Sequence, residues 1–196
     1  ILMYHSISES GENGIHPYFR TCTSPGRFAE QMRFLHDNGY TVIPLKEVMR
    51  YLECGRKAAK RCAVITFDDG FRDFHTEAFP VMERYGYTAT VFLPTSFIGS
   101  KGLGFRGKEH LSWEEVRELR KKGITFGSHT ATHPKLRFLD KQRIEDEIRG
   151  SKETIEDRLG EEIDSFSYPF AFPEEDRAFV LYLRQCLEKC GYGYGV

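Results

Sequence analysis

The chain has 196 residues, enough for one domain with a sizeable core, and its 40% hydrophobic and 29% charged content is ordinary for a globular protein. A formal net charge of −1 without a long basic run lacks the electrostatic footprint of a nucleic-acid binder, and no apolar stretch approaches the roughly 20 residues of a membrane span. Five irregularly spaced cysteines, Cys22, Cys54, Cys62, Cys186 and Cys190, argue against a disulfide framework.

Ile1–His5 (ILMYH) reads as a short buried strand with a polar end, followed by a Gly-rich polar loop over Ser8–Thr23. The first residue is Ile1 rather than Met, so the true N-terminus is expected upstream, where a signal peptide or anchor would lie. Ser24-Pro25 is an N-cap followed by proline at the first helical position, and Phe28, Met32 and Leu35 continue at helical spacing to the Asn38-Gly39 stop. A strand over Tyr40–Leu45 and a short helix over Lys46–Leu52 come next.

Cys62–Phe67 (CAVITF) is a continuous β-branched apolar run, the pattern of a strand buried on both faces. Asp68-Asp69-Gly70 ends it, and a helix is predicted to about Tyr85 with Gly86 closing it. Thr88–Leu93 is the next strand, and Ser96–His110 is a Gly-rich loop. Ser112 with Glu115 forms a capping box for a helix through Lys122. Ile124–Gly127 is a strand running into Ser128-His129, and Asp140–Leu159 is an amphipathic helix with Ile144, Ile148, Ile155 and Leu159 inward. A strand over Ile163–Tyr168, a helix over Pro173–Lys189 and a strand from Gly191 to Val196 complete the chain. Cys186 and Cys190 could share a face of that last helix, and buried free thiols are the better reading than a zinc site.

Strands alternating with helices indicate a parallel sheet, and either an open doubly wound sheet or a closed barrel fits. No linker or repeat divides the chain, so residues 1–196 are expected to form one domain. Asp68-Asp69 and His129 each follow a strand, and parallel strand ends converge on one face, where active sites are built.

Two adjacent carboxylates at the end of a buried strand are costly unless something compensates them, and a divalent cation would. The bland reading of Asp68-Asp69-Gly70 is a turn with an Asp capping the next helix. His129 and His133 in HTATH can face one metal if the segment makes a helical turn; the bland reading is two unrelated loop histidines. Together the clusters offer a carboxylate and two imidazoles for a metal, with a second carboxylate left over. That is the set metal-assisted hydrolysis needs.

TFDDG, then HTATH, then Ser167-Tyr168-Pro169-Phe170 resembles the polysaccharide deacetylase family, the chitooligosaccharide-deacetylase homology domain of the fourth carbohydrate esterase family. YHSI near the start and CGYGYGV at the end look like family segments too. The resemblance implies a distorted (β/α) barrel of about seven parallel strands, in a domain that usually continues past Val196. It implies that Asp69, His129 and His133 hold a divalent ion, usually zinc, and that Asp68 is the general base. A backbone N–H in the Tyr168–Phe170 stretch would hold the developing oxyanion.

Two departures stand out. The third motif usually reads Arg-x-Pro-aromatic-Gly, and here Ser167 stands in place of the Arg and Ala171 in place of the Gly. The Arg normally pairs with the base, so something else must orient Asp68. The usual general acid is a late histidine that this chain does not contain. A branch active on poly-N-acetylglucosamine begins with Leu-Met-Tyr-His, and Leu2-Met3-Tyr4-His5 fits that pattern. His5 is thus the candidate acid, against the reading that it only bonds within the strand end.

Weaker candidates remain. Trp113 could cover a sugar ring or pack at a helix start. Arg72 and Asp73 could position the motif carboxylates or sit on the surface. Phe97 and Phe105 could line a groove or anchor their loop. His16, His36, His75 and His110 read as solvated or capping histidines.

The expected activity is removal of N-acetyl groups from an N-acetylglucosamine-type glycan, at the cell envelope or outside it, with no nucleic-acid partner. An O-acetyl esterase on xylan or another polysaccharide, a silent carbohydrate-binding domain and a structural zinc protein are the alternatives. The last would need four protein ligands, and three are in view.

Overall fold

A computed structural model describes residues 1–9, 21–55, 60–100 and 107–196. The elements run β1 (Leu2–Tyr4), β2 (Ser6–Ile7), β3 (Cys22–Thr23), α1 (Pro25–Asp37), β4 (Thr41–Val42), α2 (Leu45–Glu53), β5 (Cys62–Ala63) and β6 (Ile65–Phe67). A π-helical turn (Phe74–Ala78), α3 (Phe79–Arg84), β7 (Thr90–Leu93), α4 (Trp113–Lys121) and β8 (Thr125–Ser128) follow. A 3₁₀ turn (Leu136–Phe138), α5 (Lys141–Leu159), β9 (Ser165–Phe166), α6 (Arg177–Lys189) and β10 (Tyr194–Gly195) complete the order.

The main sheet is parallel throughout, in the order β1-β6-β7-β8-β9-β10. Among the described residues it has six strands, where the family resemblance implied about seven, with two small parallel pairs, β2–β3 and β4–β5, beside it. The sheet curls strongly. Asp68 follows β6 and Ser167 follows β9, three strand positions away, which in a flat sheet would lie roughly 14 Å apart. Their side chains instead meet at 3.2 Å. Among the described residues β1 and β10 are the two edges, so the ladder bends into an unclosed, distorted barrel.

Local chemistry explains most element ends. Ser24 Oγ accepts from Arg27 N–H, and the Ser112–Glu115 capping box is made in both directions. The helix expected directly after TFDDG opens as a π turn because Pro80 has no N–H to return to the preceding turn. The run Cys62–Phe67 is two strands. Val64 marks the switch, its carbonyl accepting from Leu2 N–H while β5 pairs with β4 and β6 with β1. The expected strand over Tyr40–Leu45 shortens to Thr41–Val42, since Pro44 lacks a ladder donor and Leu45 opens α2. The last helix starts at Arg177, capped by Asp176.

Phe28 and Met32 of α1, Phe67, Phe74, Met82, and Ile144, Ile148 and Ile155 of α5 are buried in one continuous core. Cys186 is buried and Cys190 half-buried, both free thiols. His16 and Phe105 lie outside the described residues.

Candidate metal and catalytic site

Asp68 is fixed by its backbone, whose N–H donates to Tyr4 C=O at 2.9 Å. Asp69 and Gly70 then both adopt left-handed backbone, at φ 70° and 58°. Gly70 has a second constraint: a Cβ there would meet Ile98 Cδ1 and Leu93 Cδ2 at 3.0 Å. The tight reversal parts the two carboxylates. Asp68 Oδ2 accepts from Ser167 Oγ at 3.2 Å. Asp69 Oδ1 instead lies 3.1 Å from His133 Nε2 and 3.5 Å from His129 Nε2.

β8 delivers His129. Its N–H donates to Leu93 C=O at 3.0 Å. Its Nδ1 lies 2.8 Å from Ser167 C=O, which can only accept, so Nδ1 carries the hydrogen and Nε2 presents a lone pair to Asp69. The two histidines do not converge through a helical turn, as the spacing had suggested. Thr130 and His133 are left-handed, at φ 66° and 55°, and the turn is held from outside. Glu147 of α5 accepts from Ala131 N–H at 2.9 Å, Thr132 N–H at 2.8 Å and Thr132 Oγ1 at 2.6 Å. Thr130 Oγ1 accepts from His133 N–H at 3.0 Å.

The three side chains are almost fully buried, and their ligand atoms lie within 4.8 Å of one another. The arrangement fits a metal. Neighbouring ligands of a tetrahedral zinc-sized ion, each about 2.0–2.1 Å from it, stand about 3.3–3.4 Å apart. The separations of 3.1 and 3.5 Å bracket that value. Among the described residues Asp69 Oδ1 accepts no well-aligned hydrogen bond, and with the lone pair of His129 Nε2 facing it, positive charge between them relieves the repulsion. Burial raises the Asp69 pKa, but the imidazoles of His129 and His133 outweigh it and hold the carboxyl well below its usual range. Burial pushes His129 down, yet Asp69 and Asp68 outweigh it and leave the imidazole raised. The cluster draws in positive charge, as a proton or as a metal.

The polysaccharide deacetylase family model matches residues 55–194. The chain belongs to the polysaccharide deacetylase family. It is 35% identical, over its whole length, to YxkH of Bacillus subtilis, whose name places it among the polysaccharide deacetylases. It is 29% identical over 86% of its length to the poly-beta-1,6-N-acetyl-D-glucosamine N-deacetylase of Staphylococcus epidermidis. The chain spans 63% and 58% of the length of these two curated relatives. A crystal structure of a polysaccharide deacetylase from Bacillus cereus is 28% identical and superimposes with a TM-score of 0.75, covering 99% of this chain and 55% of that one.

His5 is half-buried between β1 and β2, close enough that its charge would act on Asp69. Tyr168 and Pro169 are buried. Phe170 is 46% exposed, left-handed at φ 64°, with its ring 4.8 Å from that of His133. Of the three expected oxyanion donors, Tyr168 N–H is committed to Val196 C=O and Pro169 has none, which leaves Phe170 N–H. Trp113 is buried at the start of α4, with Arg158 over its ring, and the structure does not bring it to the cluster. Arg72 turns outward to Glu109 and Glu115. Asp73 bonds Ser6, next to His5, rather than the motif carboxylates.

His110 is a correction. Its sequence context suggests a solvated or capping histidine, but it is buried, wedged against Phe97 and Phe71 with ring centroids at 5.3 and 5.1 Å. Neither ring nitrogen has a hydrogen-bond partner among the described residues. Burial holds its pKa down at about 4, despite the pull of Asp69. Its segment lies on the first motif, with Leu111 N–H donating to Gly70 C=O at 3.0 Å. The local sequence carried no such signal for His110, nor any for Glu147.

Proposed function

We propose that residues 1–196 form one catalytic domain that removes N-acetyl groups from an N-acetylglucosamine-type glycan. The observation that carries this is the buried Asp69–His129–His133 set with a second buried carboxylate beside it. A pure binding or structural metal site has no use for Asp68, whose Oδ1 accepts no hydrogen bond among the described residues. The Staphylococcus epidermidis relative's named substrate supports the choice of glycan. The site of action on this reading is the cell envelope or beyond.

Asp69, His129 and His133 would hold a divalent ion, zinc on this reading, which would supply Lewis acidity toward the acetyl carbonyl and the attacking water. Asp68 takes the proton from the attacking water as its oxygen bonds the carbonyl carbon. Phe170 N–H donates to the developing oxyanion. His5 gives a proton to the nitrogen as the C–N bond breaks, leaving acetate and a free amine. Phe170, the exposed ring beside His133, packs on the sugar, while the buried Tyr168 and Pro169 support it.

The test is acetate release from an N-acetylglucosamine oligomer, with metal analysis, for the full-length protein and its Asp68→Asn variant. Loss of about 10²–10⁴-fold in kcat with metal retained supports the assignment of base and ligand. Release only from O-acetylated sugars would make the domain an esterase. Bound metal with no release from any acetylated sugar would make it a binding module.

A further inference from the structure

We propose that Ser167 is the positioning residue of this site, orienting the base Asp68 through its hydroxyl; this rests on the reading of Asp68 as base. Among the described residues, the side-chain hydrogen-bond donor to the Asp68 carboxylate is Ser167 Oγ, at 3.2 Å. Both side chains are buried, Asp68 to 5% exposure and Ser167 to 3%, so bulk water cannot replace the contact freely. A carboxylate this enclosed swings about its side-chain torsions unless a donor fixes it, and an unfixed base is a slow one.

The hydroxyl comes from a rigid mount. Ser167 N–H donates to Ser128 C=O at 2.9 Å, extending the β8–β9 ladder, and Ser167 C=O accepts from His129 Nδ1–H at 2.8 Å. One residue thus grips both halves of the site. Its carbonyl sets the tautomer of a metal ligand, and its hydroxyl sets the direction of the base. The two grips are chemically separable, because substitution of the side chain removes the hydroxyl and leaves the carbonyl. The position also explains how the motif tolerates the absence of arginine. A short neutral donor on the curled end of β9 reaches Asp68 directly, without introducing a cation beside a metal site.

The experiment compares wild type, Ser167→Ala, Ser167→Thr and the same alanine change in an Asp68→Asn background. Each is measured with metal loaded for kcat and KM on an N-acetylglucosamine oligomer, and by crystallography without substrate. Ser167→Ala should lose about tenfold in kcat, with KM within about twofold and metal content unchanged, as loss of one hydrogen bond to a charged group predicts. Ser167→Thr, which keeps the hydroxyl, should recover most of the rate, and the alanine change should cost nothing further once Asp68 is Asn. The Asp68 carboxylate should be rotated or disordered in the alanine crystal while Asp69, His129 and His133 stay in place. Wild-type kcat in Ser167→Ala, an undiminished loss in the Asp68→Asn background, or an unmoved Asp68 in the crystal would each overturn the proposal. An inactive wild type would instead sink the deacetylase reading, and the Asp68 position in the alanine crystal would still decide whether Ser167 orients that carboxylate.

Discussion

Glu147→Ala should loosen the metal site from behind without touching a ligand. The Glu147 carboxylate accepts three bonds from the turn that carries His133, two from backbone N–H and one from a hydroxyl. Bonds to a charged acceptor contribute about 1.5–3 kcal/mol each in buried settings. Thr132 is exposed and its donors can return to water, so the full sum does not apply. The half-buried Ala131 N–H loses most, and a net cost of about 2–3 kcal/mol is reasonable. For a chain of this size that lowers Tm by roughly 4–12 °C. The same change releases Thr130 and His133 from left-handed conformations that cost about 1–2 kcal/mol each. His133 then spreads away from Asp69, and metal affinity should fall about 10–100-fold, as for other groups that orient ligands. Calorimetry on chelated protein measures the first effect, and competition with a chromophoric chelator measures the second. Glu147→Gln keeps one carbonyl acceptor and should fall between. If Glu147→Ala melts within about a degree of wild type without metal, and binds metal as tightly, the turn is not held from α5 and the reasoning fails.

Two further outcomes follow from the geometry. Gly127→Ala would put a Cβ 2.5 Å from Ser165 Oγ and 2.6 Å from Phe92 Cδ1, both in the packed interior next to His129. Overpacking of this kind costs about 1–3 kcal/mol, so Tm should drop by roughly 2–12 °C, and an unchanged Tm would mean that β8 and β9 are looser than described. Burial holds the folded His110 pKa at about 4, below the 6.5 usual for histidine. The unfolded chain therefore binds the proton first, and this residue's contribution is full above pH 6.5 and is lost as pH falls toward about 4. His110→Phe should flatten the dependence of Tm on pH in that window; equal slopes for the two proteins would count against a buried neutral imidazole.

The parts of the site legible in the sequence are those whose chemistry is local. Asp68-Asp69-Gly70 announces a polar turn after an apolar strand, and the Ser112–Glu115 box is a contact between near neighbours. The paired histidines were legible as a pair, but their geometry was not. A helical turn was the natural route for residues at that spacing, and the chain takes a left-handed turn because Glu147, on α5, supplies the acceptor for its N–H groups. Ser167 was visible only as a missing arginine. Its contact with Asp68 spans three strand positions and exists only because the sheet curls. His110 fell in a Gly-rich loop, and nothing in its neighbours showed that Phe71 and Phe97 would close over it.

The backbone gives independent support for where function resides. Among the described residues, the non-glycine positions with left-handed φ are Asp69, Thr130, His133 and Phe170. Each conformation costs about 1–2 kcal/mol against the ordinary regions, and such residues persist only where their surroundings over-determine them. All four lie in the cluster: one proposed ligand after β6, another after β8, the residue that begins its turn, and the ring packed on it after β9. Glycine elsewhere absorbs the same backbone demand at helix ends and turns, as at Gly39, Gly86 and Gly160. At these four positions the side chain is kept and the strain accepted. That choice is what the proposed site would require, with the Asp69 carboxylate and His133 imidazole as ligands, the Thr130 hydroxyl accepting from His133 N–H and the Phe170 ring packed beside it.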